Sequence, residues 1–134
     1  MERILAMNIA LMRSMQLCIQ ETPRQFHIAD WQSGDITPGA QSDCGGAACF
    51  AGWACVLACK VRLSEMSNVA IERLAREVLG LSEAQADRLF VFSKWPEVLQ
   101  ERYRYNARSP EDYRVNANVA AWRLEVFILS DGEI

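Results

Sequence analysis

The stretch Ala47-Ala48-Cys49-Phe50-Ala51-Gly52-Trp53-Ala54-Cys55-Val56-Leu57-Ala58-Cys59-Lys60 decides the fold class. Phe50, Trp53 and Leu57 recur at i, i+3 and i+7, which puts three bulky side chains on one helical face. Ala48, Ala51, Gly52, Cys55 and Cys59 make a second face of small side chains. A helix that is apolar all round has no side to offer water. It is therefore expected at the centre of the domain, with a neighbouring helix approaching closely over the small face. The uncharged run 44–59 is broken by Gly45, Gly46 and Gly52 and falls short of the ~20 apolar residues a membrane span needs. No membrane role is expected.

Outward from this helix the chain reads as further helices. Residues 2–20 set Ile4, Met7, Leu11, Met15 and Cys18 in a stripe widened by Leu5, Ile9, Met12 and Ile19, and Thr22-Pro23 stops it. Gly34, Pro38 and Gly39 with Ser33 and Ser42 mark a long loop at 22–45. Within it, Phe26-His27-Ile28-Ala29-Asp30-Trp31 alternates weakly and reads as a short strand or a pinned segment. Ser64 is expected to cap a helix over 65–79, with Met66, Ala70, Leu74 and Val78 inward and Gly80 as its stop. Ser82 and Gln85 form a capping-box pair before a helix that ends near Phe92. Trp95-Pro96 opens a short helix to about Tyr103. Ser109-Pro110-Glu111-Asp112 opens the last, whose stripe is Val115, Val119, Trp122, Val126 and Leu129 and which Gly132 closes. The expectation is a mostly α protein: one compact domain over 1–134, of five or six helices around a central buried helix at about 47–60, with a long loop at 22–45.

Apolar residues make up 51% of the 134 and charged residues 23%, with 7 Gly and 4 Pro, which excludes disordered, collagen-like and low-complexity chains. The formal charge of -3 is spread along the chain without an acidic or basic tail, so there is no global field to hold a polyanion. The first twelve residues resemble a signal peptide only superficially. Their charges cancel, Asn8 interrupts the apolar run, and no small-residue cleavage site follows before Arg13. A cytoplasmic protein is expected. Its five cysteines, Cys18, Cys44, Cys49, Cys55 and Cys59, are then free thiols that pack as small apolar side chains.

The segment Asp43-Cys44-Gly45-Gly46-Ala47-Ala48-Cys49-Phe50-Ala51-Gly52-Trp53-Ala54 resembles a motif of small uncharacterised bacterial and phage proteins, Cys-Gly-Thr-x-x-Cys-aliphatic-Ala-Gly-Trp/His-Ala. The run from Leu79 to Phe90 and the pair Trp95-Pro96 are similar to that family as well, so the likeness covers about 43–96. Gly46 and Phe50 stand where the motif has threonine and an aliphatic residue. The resemblance implies a shared fold and does not supply an activity.

Several residues are candidates for chemistry. Cys44 precedes the central helix, where unpaired amides and the helix dipole lower a thiol pKa. His27 is the single histidine, so a Cys–His nucleophile pair has to use it, with Asp30 or Asp43 as the orienting acid. The competing reading makes Cys44 a small side chain at a tight turn. Cys55 and Cys59, at i and i+4, are weak metal candidates with His27 or Cys18, but their face is otherwise alanine and glycine, and Cys44-x4-Cys49 lacks zinc-knuckle spacing. Gly45-Gly46 offers amides to an anion, yet no Walker lysine follows. No metal or cofactor is expected.

Arg102-Tyr103-Arg104-Tyr105-Asn106-Ala107-Arg108 is the one local basic patch. Guanidinium planes and tyrosine rings can stack on bases and grip phosphates, or dock an acidic protein surface. The bland alternative is a solvated helix end, and the acidic balance of the chain favours it over nucleic acid. Together these readings lead to a non-enzymatic protein that binds a macromolecular partner, a protein first, with Arg102, Tyr103, Arg104, Tyr105 and Arg108 as contact residues. A phage or mobile-element accessory role is compatible with the resemblance. The alternative is a small cysteine-dependent enzyme or a nucleotide- or anion-binding protein using Cys44 and His27 or the 102–108 patch.

Overall fold

A computed structural model describes residues 6–28, 34–38 and 47–134, and its described part is built from α1 (Ile9–Glu21), α2 (Phe50–Cys59), α3 (Asn68–Leu79), α4 (Glu83–Phe90), α5 (Glu97–Arg102) and α6 (Pro110–Leu129). Three short 3-10 turns, Pro23–Gln25, Leu63–Glu65 and Phe92–Lys94, link them. The expected mostly α fold is what is found, with one hydrophobic core. Residues 2–5, Trp31, Asp30, Asp43, Cys44, Gly45 and Gly46, on which several expectations fall, lie outside the described residues.

The middle of the core is α2. Every residue from Phe50 to Val56 is buried, and α1, α3 and α4 pack against the helix. The small face works as anticipated in its middle turn, where the Cys55 thiol reaches the Ile71 carbonyl of α3 at 3.3 Å. It does not hold to the end of the helix, because Ala58 and Cys59 reach solvent. The helix also starts three residues later than 47. Ala48 forms a parallel bridge with Phe26 instead: its N–H donates to the Gln25 carbonyl at 3.0 Å, and the His27 N–H donates to the Ala48 carbonyl at 3.1 Å. Extended backbone at 48–49 cannot also be helical. That single bridge is the whole of the strand expected near Phe26 among the described residues.

Asn8 joins two helix ends. Its side-chain oxygen accepts from the Leu11 N–H and caps α1, its side-chain amide donates to the Val78 carbonyl at 3.1 Å, and its main-chain N–H donates to the Leu79 carbonyl at 2.8 Å. The residue that breaks the apolar run in the sequence is thus the one that closes off the end of α3.

The cap of α3 is Ser67, not Ser64. Ser64 is taken by Asp35, whose carboxylate accepts both its N–H and its hydroxyl at 3.0 Å, so 63–65 forms a separate turn. The inward positions of α3 are accordingly Ile71, Ala75 and Leu79, while Met66, Ala70, Leu74 and Val78 are half-buried. The capping box at Ser82/Gln85 forms as expected, and the expected helix start at Ser109-Pro110 is closed by a second box, Ser109 with Asp112. In α6 the expected stripe is largely displaced. Asn116, Ala117, Val119, Ala120, Arg123, Leu124 and Phe127 are buried, and Trp122 and Leu129 are exposed. The rotation is possible because the two buried polar residues find main-chain partners. Asn116 pairs with both the N–H and the carbonyl of Arg104, at 2.7 and 2.8 Å. Arg123 donates to the Arg88 and Ile134 carbonyls at 3.0 and 2.7 Å.

Gly80 ends α3 at φ +68°, and a Cβ there would stand 2.4 Å from the Ala6 carbonyl oxygen. Both the left-handed backbone and the close approach require glycine. Gly80→Ala is expected to lower unfolding stability by about 1–3 kcal/mol, read as a drop in the urea midpoint at unchanged slope.

Candidate functional site

The 102–108 segment begins on the last residue of α5 and is fixed at three points. Tyr103 is 6% exposed, and its hydroxyl accepts the Ile28 N–H at 3.0 Å. Its ring sits among Phe26, Phe92 and Trp95, with centroids 6.4, 5.3 and 5.9 Å away. Asn116 holds the Arg104 main chain, as above. Asp112 then closes the segment: its carboxylate accepts the N–H of Arg108 at 3.0 Å and an Nη of Arg104 at 2.7 Å. These donors, the Arg108 N–H foremost and the Arg104 side chain next, hold the Asp112 carboxyl down at about 2. An anchored loop displays its remaining side chains without much loss of freedom on binding.

The five expected contact residues are therefore not equivalent. Tyr103 is an internal anchor. Arg104 is engaged by Asp112. Arg102, Tyr105 and Arg108 have exposed side chains. The guanidinium of Arg102 lies over the Trp122 ring, 5.5 Å from its centroid, and Trp122 is 43% exposed. This pairing of α5 with α6 was not anticipated, since periodicity alone does not separate a core tryptophan from an interface anchor and left Trp122 open between the two. A signal was present: Ala117, Ala120, Ala121, Leu124 and Phe127 give α6 a second apolar side, and one helix cannot bury both against the same core.

Trp122 stands between two open grooves. One, about 510 Å³, lies over Arg102, Arg104, Val115 and Asn118. The other, about 520 Å³, runs between α1 and α6 over Gln16, Leu17 and Ala121. A larger opening of about 780 Å³ between α3 and α4 is lined by Glu72, Arg76, Glu83 and Asp87. There Glu72 faces Arg76 and Asp87 faces Lys94, each at 3.9 Å, so two of its three carboxylates have a cation beside them.

His27 Nε2 contacts the Tyr105 carbonyl at 3.1 Å. A carbonyl only accepts, so this nitrogen carries the proton, and any nucleophile pair would have to use Nδ1. Cys44, its expected partner, lies outside the described residues. Burial pushes the Cys55 thiol up to about 12, while Cys59 is exposed at the far end of the helix. The two share a helix without sharing an environment. Among the described residues no three His, Cys, Asp or Glu side chains gather as metal ligands. Nor is any described helix long and apolar enough to cross a membrane. No known protein family, curated protein or solved structure matches the chain.

Two outcomes follow from these environments. The Asp112 carboxyl is lowered from 3.8 to about 2 on folding, so its stabilising effect is complete above 3.8 and is lost as the pH falls toward 2. Asp112→Asn should depress the melting temperature at neutral pH, and the gap from the parent should close as the pH approaches 2. In the folded protein at about pH 8, iodoacetamide should label Cys59 and spare Cys55 until denaturant is added; peptide mass mapping reads the two sites separately.

Proposed function

We propose that this protein is a non-enzymatic binding domain whose partner is another protein, captured on the face where the 102–108 segment meets α6. The observation that carries this reading is Trp122, exposed on a rigid helix with the Arg102 guanidinium over its ring. Tryptophan and arginine are the side chains that most often dominate protein–protein contacts, because they combine large apolar area with a directed polar end. The segment beside them is anchored by Tyr103, Asn116 and Asp112, which supports a preformed contact surface.

A protein partner is favoured over a nucleic acid by how the arginines are used. Arg104 is engaged by Asp112, and Arg102 lies against Trp122. Phosphate binding draws on several unpaired cations in a row, and the chain as a whole carries a charge of -3. A phage or mobile-element accessory role is compatible with the resemblance read in 43–96.

The test is affinity capture from the source cells with the full chain as bait. Arg102→Ala combined with Arg108→Ala should reduce recovery of the bound protein about tenfold or more while leaving the circular dichroism and melting temperature unchanged. Undiminished capture by that variant would remove this face from the reading.

A further inference from the structure

We infer that the partner presents an acidic segment, a glutamate or aspartate set beside an apolar side chain, to the groove lined by Arg102, Arg104, Asn118 and Trp122. This rests on the reading of the 102–108 face as a protein-binding surface and names the chemistry of its partner. The groove measures about 510 Å³, and its apolar part is made by Val115, Val119 and the exposed ring of Trp122.

The polar groups beside that apolar part are donors, with one exception. Among the described residues no carboxylate or carbonyl takes the Arg102 guanidinium, which lies over Trp122. A guanidinium over a ring keeps its N–H groups for another partner. Arg104 spends one Nη on Asp112 and, among the described residues, keeps its other nitrogens. Asn118 accepts from the Gln20 amide through its side-chain oxygen at 3.2 Å, so its own amide N–H groups remain to donate. Convergent donors call for a ligand rich in acceptors, and a carboxylate takes two guanidinium N–H bonds at once.

Charge points the same way. The chain carries -3, yet this groove is lined by two arginines and one carboxylate, the exception Glu101. The opening between α3 and α4 is the reverse, with three carboxylates and one arginine. An acidic segment is therefore steered toward α6 and away from α3. Glu101 also separates one anion from another. It opposes a polyanion more than a lone carboxylate, because every further phosphate held near the groove adds to the repulsion.

Solution NMR of the full chain tests this, with an end-blocked peptide alternating glutamate and leucine as the probe. The Trp122 indole N–H signal, assigned with Trp122→Phe, should move with a dissociation constant of about 1 mM or lower. The indole signals of Trp53 and Trp95, bonded inside the core, should stay in place. The same peptide with lysine for glutamate should move none of them. Arg102→Ala should weaken binding about fivefold or more, and Glu101→Gln should strengthen it about twofold. Far-UV circular dichroism checks that each variant is folded; Arg102→Gln replaces Arg102→Ala if that variant is not. No movement with the glutamate peptide overturns the inference, as does equal movement with the lysine peptide or tighter binding of a single-stranded oligothymidylate. Capture lost in Arg102→Ala/Arg108→Ala together with a silent glutamate peptide sinks only this inference. Undiminished capture by that double variant, by contrast, sinks the broader reading.

Discussion

The Trp53 indole N–H donates to the main-chain carbonyl of Gln25 at 3.0 Å, inside the core, and much of the molecule is arranged around that bond. The same carbonyl accepts the Ala48 N–H, so both its lone pairs are used. The Gln25 side chain, itself buried, then exchanges two hydrogen bonds with the main chain of Thr37, at 2.8 and 3.1 Å. One residue thus ties the central helix, the approach to it and the 34–38 segment together. A buried indole N–H without an acceptor would cost a sizeable fraction of a small domain's stability. The turn at Pro23–Gln25 is therefore set by α2 as much as by its own proline.

Around Trp53 the aromatic rings extend the same constraint outward. Phe50 stacks on Trp95 at 5.6 Å and meets Phe26 at 5.0 Å, and Trp95 in turn meets Tyr103 at 5.9 Å. The Trp95 indole N–H is satisfied by the Leu89 carbonyl at 2.9 Å. Through this chain of rings, the loop that carries Arg102 and Arg108 inherits the rigidity of the central helix. The contact surface proposed for the protein is thus an outgrowth of the core, not a mobile appendage on it.

Much of the fold could be read from residue order. The uncharged stretch with Phe50 and Trp53 does occupy the centre, and the caps at Ser82 and Ser109 fall where their partners Gln85 and Asp112 place them. What escaped depends on contacts between distant residues. Ser64 and Ser67 are equally good caps in isolation, and only Asp35, about thirty residues earlier, takes the first out of competition. The facing of α6 was misjudged because Asn116 and Arg123 look like surface residues until main-chain carbonyls and amides supply their partners. Periodicity left Trp122 open between core and interface, so only the arginines suggested a surface, whereas the geometry makes Trp122 the centre of the candidate site and turns Tyr103 into an anchor. Cys55 and Cys59 are equivalent by spacing and differ because the last turn of α2 leaves the core.

The asparagine that fastens α1 to α3 has a dynamic consequence. Three of its hydrogen bonds span the first turn of one helix and the last turn of the other, and the Ala6 carbonyl presses on the Gly80 turn beside them. Neither end can fray alone without breaking bonds that belong to its neighbour. Deuterium uptake at the amides of Leu11 and of Gly80 and Leu81 should then rise and fall together, as one opening unit distant in sequence but joined in space.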